Sequence, residues 1–171
     1  KNLKLHKMIT VVIPSFYSSK QIKDRILEID ESIPILIIEN SKDNKLKERL
    51  EKNHKNVKVI IPDENLGFGK AVNVGIKTAK TQFVFLTQPD VKLIDNCVNK
   101  LIECVKNFKD FSVLTPLDTN NDLFTNYEVY KNYETSKNNP FMIEEVDYVD
   151  LTWLINKNAF EEKNLWDEKI F

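Results

Sequence analysis

Four short, almost unbroken apolar runs recur along the first half of the chain: Ile9–Ile13, Ile35–Glu39, Val57–Ile61 and Phe83–Thr87. They are rich in Val, Ile and Phe and do not alternate with polar residues, which is the pattern of strands covered on both faces in a parallel sheet. Their starts lie 22 to 26 residues apart, close to the length of a strand–helix–strand unit. The segments between them read as helices. Ser18–Ile29 carries Ile22, Ile26, Leu27 and Ile29, and Asn44–Lys52 places Leu46 and Leu50 four apart. Phe68–Ala79 and Leu93–Phe108 also repeat apolar residues at helical spacing. The fold expected is therefore α/β, a doubly wound, mostly parallel sheet with helices on both faces and right-handed crossovers. A fifth strand is expected at Phe111–Thr115.

Beyond that point the character changes. Asp118–Pro140 is polar and Asn-rich, and structureless stretches of that length are usually functional or mobile. Val146–Ile155 resumes a strand-like pattern, Lys157–Lys163 reads as a short helix, and the chain stops abruptly at Phe171. We expect an α/β part over residues 1–115 and a second part over 116–171 that reads as truncated.

Composition removes several classes of function. With 171 residues, 42% of them hydrophobic, the chain can bury one real core. No apolar run approaches the roughly 20 residues of a membrane span, and no signal-peptide pattern is present. A cytoplasmic protein, at most peripheral to a membrane, is expected. The net charge of −1 and the presence of only Arg25 and Arg49 among 25 cationic residues argue against a nucleic-acid partner, which calls for a basic, arginine-bearing surface. Cys97 and Cys104 fall in one helix about 10 Å apart, beyond the roughly 7 Å that a disulfide spans. Buried thiols in a reducing compartment are expected.

Two familiar glycine motifs fail. Gly67 and Gly69 lack the third glycine of a dinucleotide fingerprint, because Val72 stands there, and they follow the third strand instead of the first. Gly69-Lys70 is followed by Ala71 where a P-loop needs Ser or Thr.

In open α/β sheets, ligands bind beyond the carboxyl ends of the strands. Those ends read Pro14-Ser15-Phe16-Tyr17, Glu39-Asn40-Ser41, Asp63-Glu64-Asn65 and Thr87-Gln88-Pro89-Asp90. A stacking aromatic, an acid to accept from a base N–H and a carboxylate for a metal would together suit a nucleoside diphosphate. Each also has an ordinary reading: Pro14 can simply end a strand, Glu39 can be an exposed acid, and Asp90 can cap a following helix.

In this setting the residues resemble glycosyltransferase family 2. Val11-Val12-Ile13-Pro14-Ser15-Phe16 resembles the family's opening strand and turn, and Ile37-Ile38-Glu39-Asn40-Ser41 its second strand, whose acid contacts the nucleobase. Glu64-Asn65-Leu66-Gly67-Phe68-Gly69, with Asn73 and Gly75, is similar to the helix entry of rhamnosyltransferase-like members. Leu86-Thr87-Gln88-Pro89-Asp90-Val91 is similar to the aspartate-x-aspartate metal motif, and Trp166-Asp167-Glu168-Lys169-Ile170-Phe171 to the segment near the acceptor.

The resemblance implies a GT-A fold, with residues 1–115 as the nucleotide-sugar-binding half and 116–171 as the start of the acceptor side. It implies inverting transfer of a sugar from a dTDP- or UDP-linked donor, rhamnose being one candidate, to a glycan or lipid-linked acceptor. Pro14, Ser15, Phe16, Glu39, Asn65, Gly67, Gly69, Gln88 and Asp90 become the substrate-binding residues, with Asp90 holding Mg²⁺ or Mn²⁺. Three departures stand out. Gln88 leaves Asp90 as the one carboxylate of its motif. Leu151 and Trp153, beside Asp150, are bulky where the family is small. The family's catalytic base lies beyond Phe171, leaving Asp147 and Asp150 as substitute candidates. The competing expectation is a degenerate module that binds nucleotide or glycan without turnover. A nucleotidyltransferase is disfavoured because Ser15–Ser19 contains no glycine.

Overall fold

The apolar runs form the strands β1 (Ile9–Ser15), β2 (Ile35–Glu39), β3 (Val57–Ile60) and β4 (Phe83–Leu86). Every residue of β1, β2 and β4 is buried, whereas β3 alternates and leaves Lys58 exposed. The computed structural model describes residues 8–108, 110–116, 143, 152–160 and 165–168. Between the strands lie helices α1 (Ser19–Leu27), α2 (Asn44–Asn53) and α3 (Gly67–Thr78), and α4 (Cys97–Asn107) follows β4. Two further strands, β5 (Val113–Leu114) and β6 (Trp153–Asn156), complete a six-stranded sheet in the order β3-β2-β1-β4-β6-β5.

β1 pairs in parallel with β2 and β4, and β2 with β3. β6 is antiparallel to both β4 and β5. The pleat sorts the core into two layers. Ile9, Val11 and Ile13 pack with residues of α1, α2 and α4 on one face. Val12, Leu36, Val84 and Leu86 pack with Val72 and Ile76 of α3 on the other. The helices therefore lie on both faces, as the apolar runs require.

Two contacts show how closely these layers fit. A Cβ added to Gly75 of α3 would come within 2.3 Å of Val12 Cγ1, so only glycine lets the helix lie this close to β1. At the sheet edge, the Val59 N–H donates to Glu51 Oε1 at 2.8 Å, which satisfies a backbone donor that an open edge would leave unpaired.

Several boundaries differ from expectation. α4 starts at Cys97 and not near Leu93, because Asp95 and Asn96 both adopt left-handed backbone, φ 51° and 57°. The fifth strand shrinks from Phe111–Thr115 to Val113–Leu114. The described part of the later strand ends at Asn156, and a 3₁₀ turn, Lys157–Ala159, stands where a short helix was expected. Asp118–Pro140 lies outside the described residues. Cys97 and Cys104 are free and half-buried, not fully buried as expected. Among the described residues, no helix is long and apolar enough to cross a membrane.

Candidate functional site

The chain runs outward from β1 to β2 and β3, then crosses back so that β4 pairs with the other side of β1. The carboxyl ends of β1 and β4 thus part at a topological switch, the place where open α/β sheets form a ligand crevice.

The β1 exit carries Phe16 and Tyr17, 51% and 79% exposed. Tyr17 has φ 52°, and the two rings meet edge to face at 4.5 Å. The Ser18 hydroxyl donates to the Phe16 carbonyl at 2.9 Å and pins this turn. Two large apolar rings standing in solvent at a strand end make a stacking surface. Pro14 and Ser15, by contrast, are buried within β1.

Glu39 is not an exposed strand-end acid. It is fully buried at the end of β2, directly opposite Ser15 in the register. The Ser15 hydroxyl donates to its Oε2 at 2.6 Å. The Ser41 N–H donates to its Oε1 at 2.8 Å, and the Ser41 hydroxyl donates to the same oxygen. Three of roughly four carboxylate lone-pair sites are therefore engaged, so the buried acid is stabilised by its donors and binds the ends of β1 and β2 together.

Asn40, also buried, reaches across to the start of α3. Its Nδ2 donates to the Gly67 carbonyl and its Oδ1 accepts from the Leu66 N–H, both at 3.3 Å. Asn65 Oδ1 accepts from the Gly67 N–H at 3.0 Å, a side-chain turn that suits Asn. Gly67 sits at φ 68°, where a Cβ is unfavourable. Asn65 and Gly67 thus shape the loop that brings α3 to the ligand edge, and Gly69 lies within its first turn.

At the β4 exit, the Val91 N–H donates to the Gln88 carbonyl at 3.2 Å, closing a turn over Pro89-Asp90. Asp90 is exposed at its tip. It does not cap α4, which begins seven residues later. The Thr87 hydroxyl just below is buried and has no hydrogen-bond partner among the described residues. Among the described residues, no group of three or more His, Cys, Asp or Glu side chains is placed to hold a metal. A single exposed carboxylate fits an ion that brings most of its own oxygen ligands, as magnesium does with waters and phosphates.

On the other face, α3 presents Gly69, Asn73 and Lys77 at a spacing of four, one stripe along the helix. The segment Trp166–Glu168 lies along it. A Cβ at Gly69 would meet the Asp167 carbonyl and Trp166 Cβ at 3.5 and 3.7 Å, ordinary contact distances that place the segment directly against the helix. Trp166 also packs on Trp153, centroids 5.6 Å apart, and Trp153 meets Phe68 of α3 at 6.5 Å. Trp153 stands opposite Leu86, so the bulky residue noted in the sequence lies on the ligand side of β4. Leu151, Asp147 and Asp150 lie outside the described residues.

A cavity of about 480 Å³ opens between the start of α2 and the end of β3, lined by Lys42, Lys47, Glu48 and Asp63 among others. It adjoins Ser41 in sequence but lies away from the β1–β4 switch. The structure gathers Phe16, Glu39, Asn65, Gly67, Gly69, Gln88 and Asp90 at one sheet edge, on the exits of three neighbouring strands and the α3 entry. Sequence reasoning left the roles of Asn40, Tyr17 and Thr87 unassigned. A polar residue directly after a buried strand was the signal available for Asn40.

The sequence profile described as glycosyl transferase family 2 matches residues 10–163. No curated protein matches significantly. Among solved structures, the mannosyltransferase PcManGT from Pyrobaculum calidifontis, in complex with GDP-Man and Mn²⁺, is 15% identical with a TM-score of 0.69, covering 95% of this chain and 48% of its own. S. aureus TarS 1–349 in complex with UDP is 14% identical with a TM-score of 0.67, covering 95% of this chain and 51% of its own. A further structure of TarS 1–349 covers 61% of this chain and 34% of its own at 20% identity, with a TM-score of 0.53. The chain spans about half the length of the first two, and their likeness places it in the GT-A fold.

Proposed function

The chain belongs to glycosyl transferase family 2, and from that premise we propose that it transfers a sugar from a nucleoside-diphosphate donor to a glycan or lipid-linked acceptor, with inversion at the anomeric carbon. The observation that carries this reading is the β1–β4 switch, where one exit bears the exposed Phe16–Tyr17 pair and the other the exposed Asp90. Stacking on Phe16 and Tyr17 holds the base. Glu39, buried beneath the exits, keeps Ser15 and Ser41 in place and so shapes the base site from below. Asp90 would hold Mg²⁺ or Mn²⁺, with the donor's phosphate oxygens supplying further ligands. When bound, that ion supplies Lewis-acid screening of the leaving group's charge. The chain's own part is to bind and orient the donor, while an acceptor hydroxyl loses its proton to a carboxylate. Asp147 and Asp150 are the candidates for that base within this sequence.

The donor we favour is dTDP- or UDP-linked, with rhamnose among its sugars. PcManGT with GDP-Man and TarS with UDP support a nucleotide donor in this fold. A second reading, nucleotide binding without turnover, draws support from the single carboxylate of the Gln88–Asp90 turn. Calorimetric titration with UDP and dTDP, each with and without Mn²⁺, tests the donor site. Metal-dependent binding of either nucleotide supports it, and a folded chain that binds neither sinks it. Release of nucleotide in step with acceptor glycosylation separates enzyme from binding module.

A further inference from the structure

The geometry points to Asn73 as a positioning residue that fixes Trp166–Glu168 as a wall of the transfer site; this rests on the transferase reading above. Asn73 is 2% exposed, in the second turn of α3. Its Nδ2 donates to the Trp166 carbonyl at 2.9 Å and to Glu168 Oε1 at 3.1 Å. Its Oδ1 accepts from the Trp166 N–H at 3.1 Å. One buried amide thus satisfies both backbone groups of Trp166 and orients the carboxylate two residues on.

That arrangement is more than packing needs. An apolar side chain at 73 would bury equally well but could fix neither the segment's backbone nor its acid. Glu168 is exposed, so solvent already satisfies it, and holding it still is useful only if its position matters. Lys77 contributes little, lying 4.0 Å from Glu168 with both side chains about half exposed. The segment is also tied to the ligand edge through Trp153, which packs on Trp166 and stands opposite Leu86 of β4. A shift of the segment is therefore a shift of that edge, and misplacements of about 1 Å cost on the order of 10²-fold in rate.

The test compares N73D, the exposed-site variant E168A and the double variant N73D/E168Q with the parent, in the full-length protein. Nucleotide affinity is read by calorimetry, and kcat and KM by nucleotide release on transfer. In N73D the side chain cannot donate to Trp166, and it repels Glu168. In N73D/E168Q, the amide at 168 can donate to the carboxylate at 73. A positioning role predicts a fall in kcat of roughly 30- to 100-fold for N73D, nucleotide affinity within threefold of the parent, a smaller fall for E168A and partial recovery in the double variant. A parallel loss of nucleotide affinity and turnover, or kcat within threefold of the parent in both N73D and E168A, overturns it. Should N73D not fold, E168A decides alone, because Glu168 is exposed. A parent without turnover would remove the transferase reading itself, and that control is read before any variant.

Discussion

Asn73 and Trp166, 93 residues apart in sequence, exchange two hydrogen bonds in opposite directions: the side-chain amide donates to the Trp166 carbonyl and accepts from its N–H. The amide treats the backbone at Trp166 much as a neighbouring strand would. Through it the Trp166–Glu168 segment is fastened to the helix that opens at the ligand edge.

The same helix sets the first prediction. Gly75→Ala places a methyl 2.3 Å from Val12 Cγ1 and 3.2 Å from Cγ2, and Val12 is fully buried in the central strand. Overpacking of this kind costs about 1–3 kcal/mol. A urea midpoint equal to the parent's would show that α3 can retreat from β1 freely.

Ser15→Ala removes one of the donors that hold the buried Glu39 carboxylate. Hydrogen bonds to charged groups are worth about 1.5–3 kcal/mol, and a loss in that range is expected in equilibrium denaturation. Ser41→Ala should cost less, because the Ser41 N–H still donates to Oε1.

Asp90→Ala should abolish the Mn²⁺-dependent part of nucleotide binding and leave metal-free binding within about twofold, since Asp90 is the carboxylate of its turn and is exposed. An unchanged metal dependence would assign the ion to other ligands. Phe16→Ala is expected to weaken nucleotide binding roughly tenfold or more, as loss of one base–aromatic stack is worth about 1–3 kcal/mol.

Burial pushes the Cys97 thiol up from 9.0 to about 11, with Lys100 opposing the shift. Because the thiolate is the reactive form, alkylation of Cys97 at pH 8 should run about a hundredfold slower than at an unperturbed thiol. The raised value also means that the folded state keeps this proton after the unfolded chain has lost it. The contribution to stability is therefore full below pH 9 and falls as pH rises towards 11. Mass-resolved alkylation across that window checks both statements.

The ends of the strands were harder to read than the strands. Ile9, Val11 and Ile13 announce a buried strand by composition alone, and Glu39 was legible as a strand-end residue. Its state was not. An acid at the tip of β2 reads as exposed until the register sets Ser15 opposite it and Ser41 folds back. The start of α4 was misplaced for a related reason: Leu93 fits the helical period, but the left-handed backbone at Asp95 and Asn96 interrupts it. Local propensity allows either outcome there, and the Glu28 carboxylate, which accepts from the Leu93 N–H at 2.8 Å, holds the non-helical one.

What the sequence determined by itself was periodic and local: apolar runs at βαβ spacing, glycines at the α3 entry, and motifs in an order that fits one family. Such signals survive in one dimension because the burial of a whole strand or helix face depends on its own residues. Only the tertiary structure decided which distant groups meet. It inserted β6 antiparallel between β4 and β5, enclosed Glu39 among serine donors and brought Asn73 to Trp166. Those pairings form because a buried carboxylate or amide must find partners wherever the folded chain supplies them, and sequence separation places no limit on which partners those are.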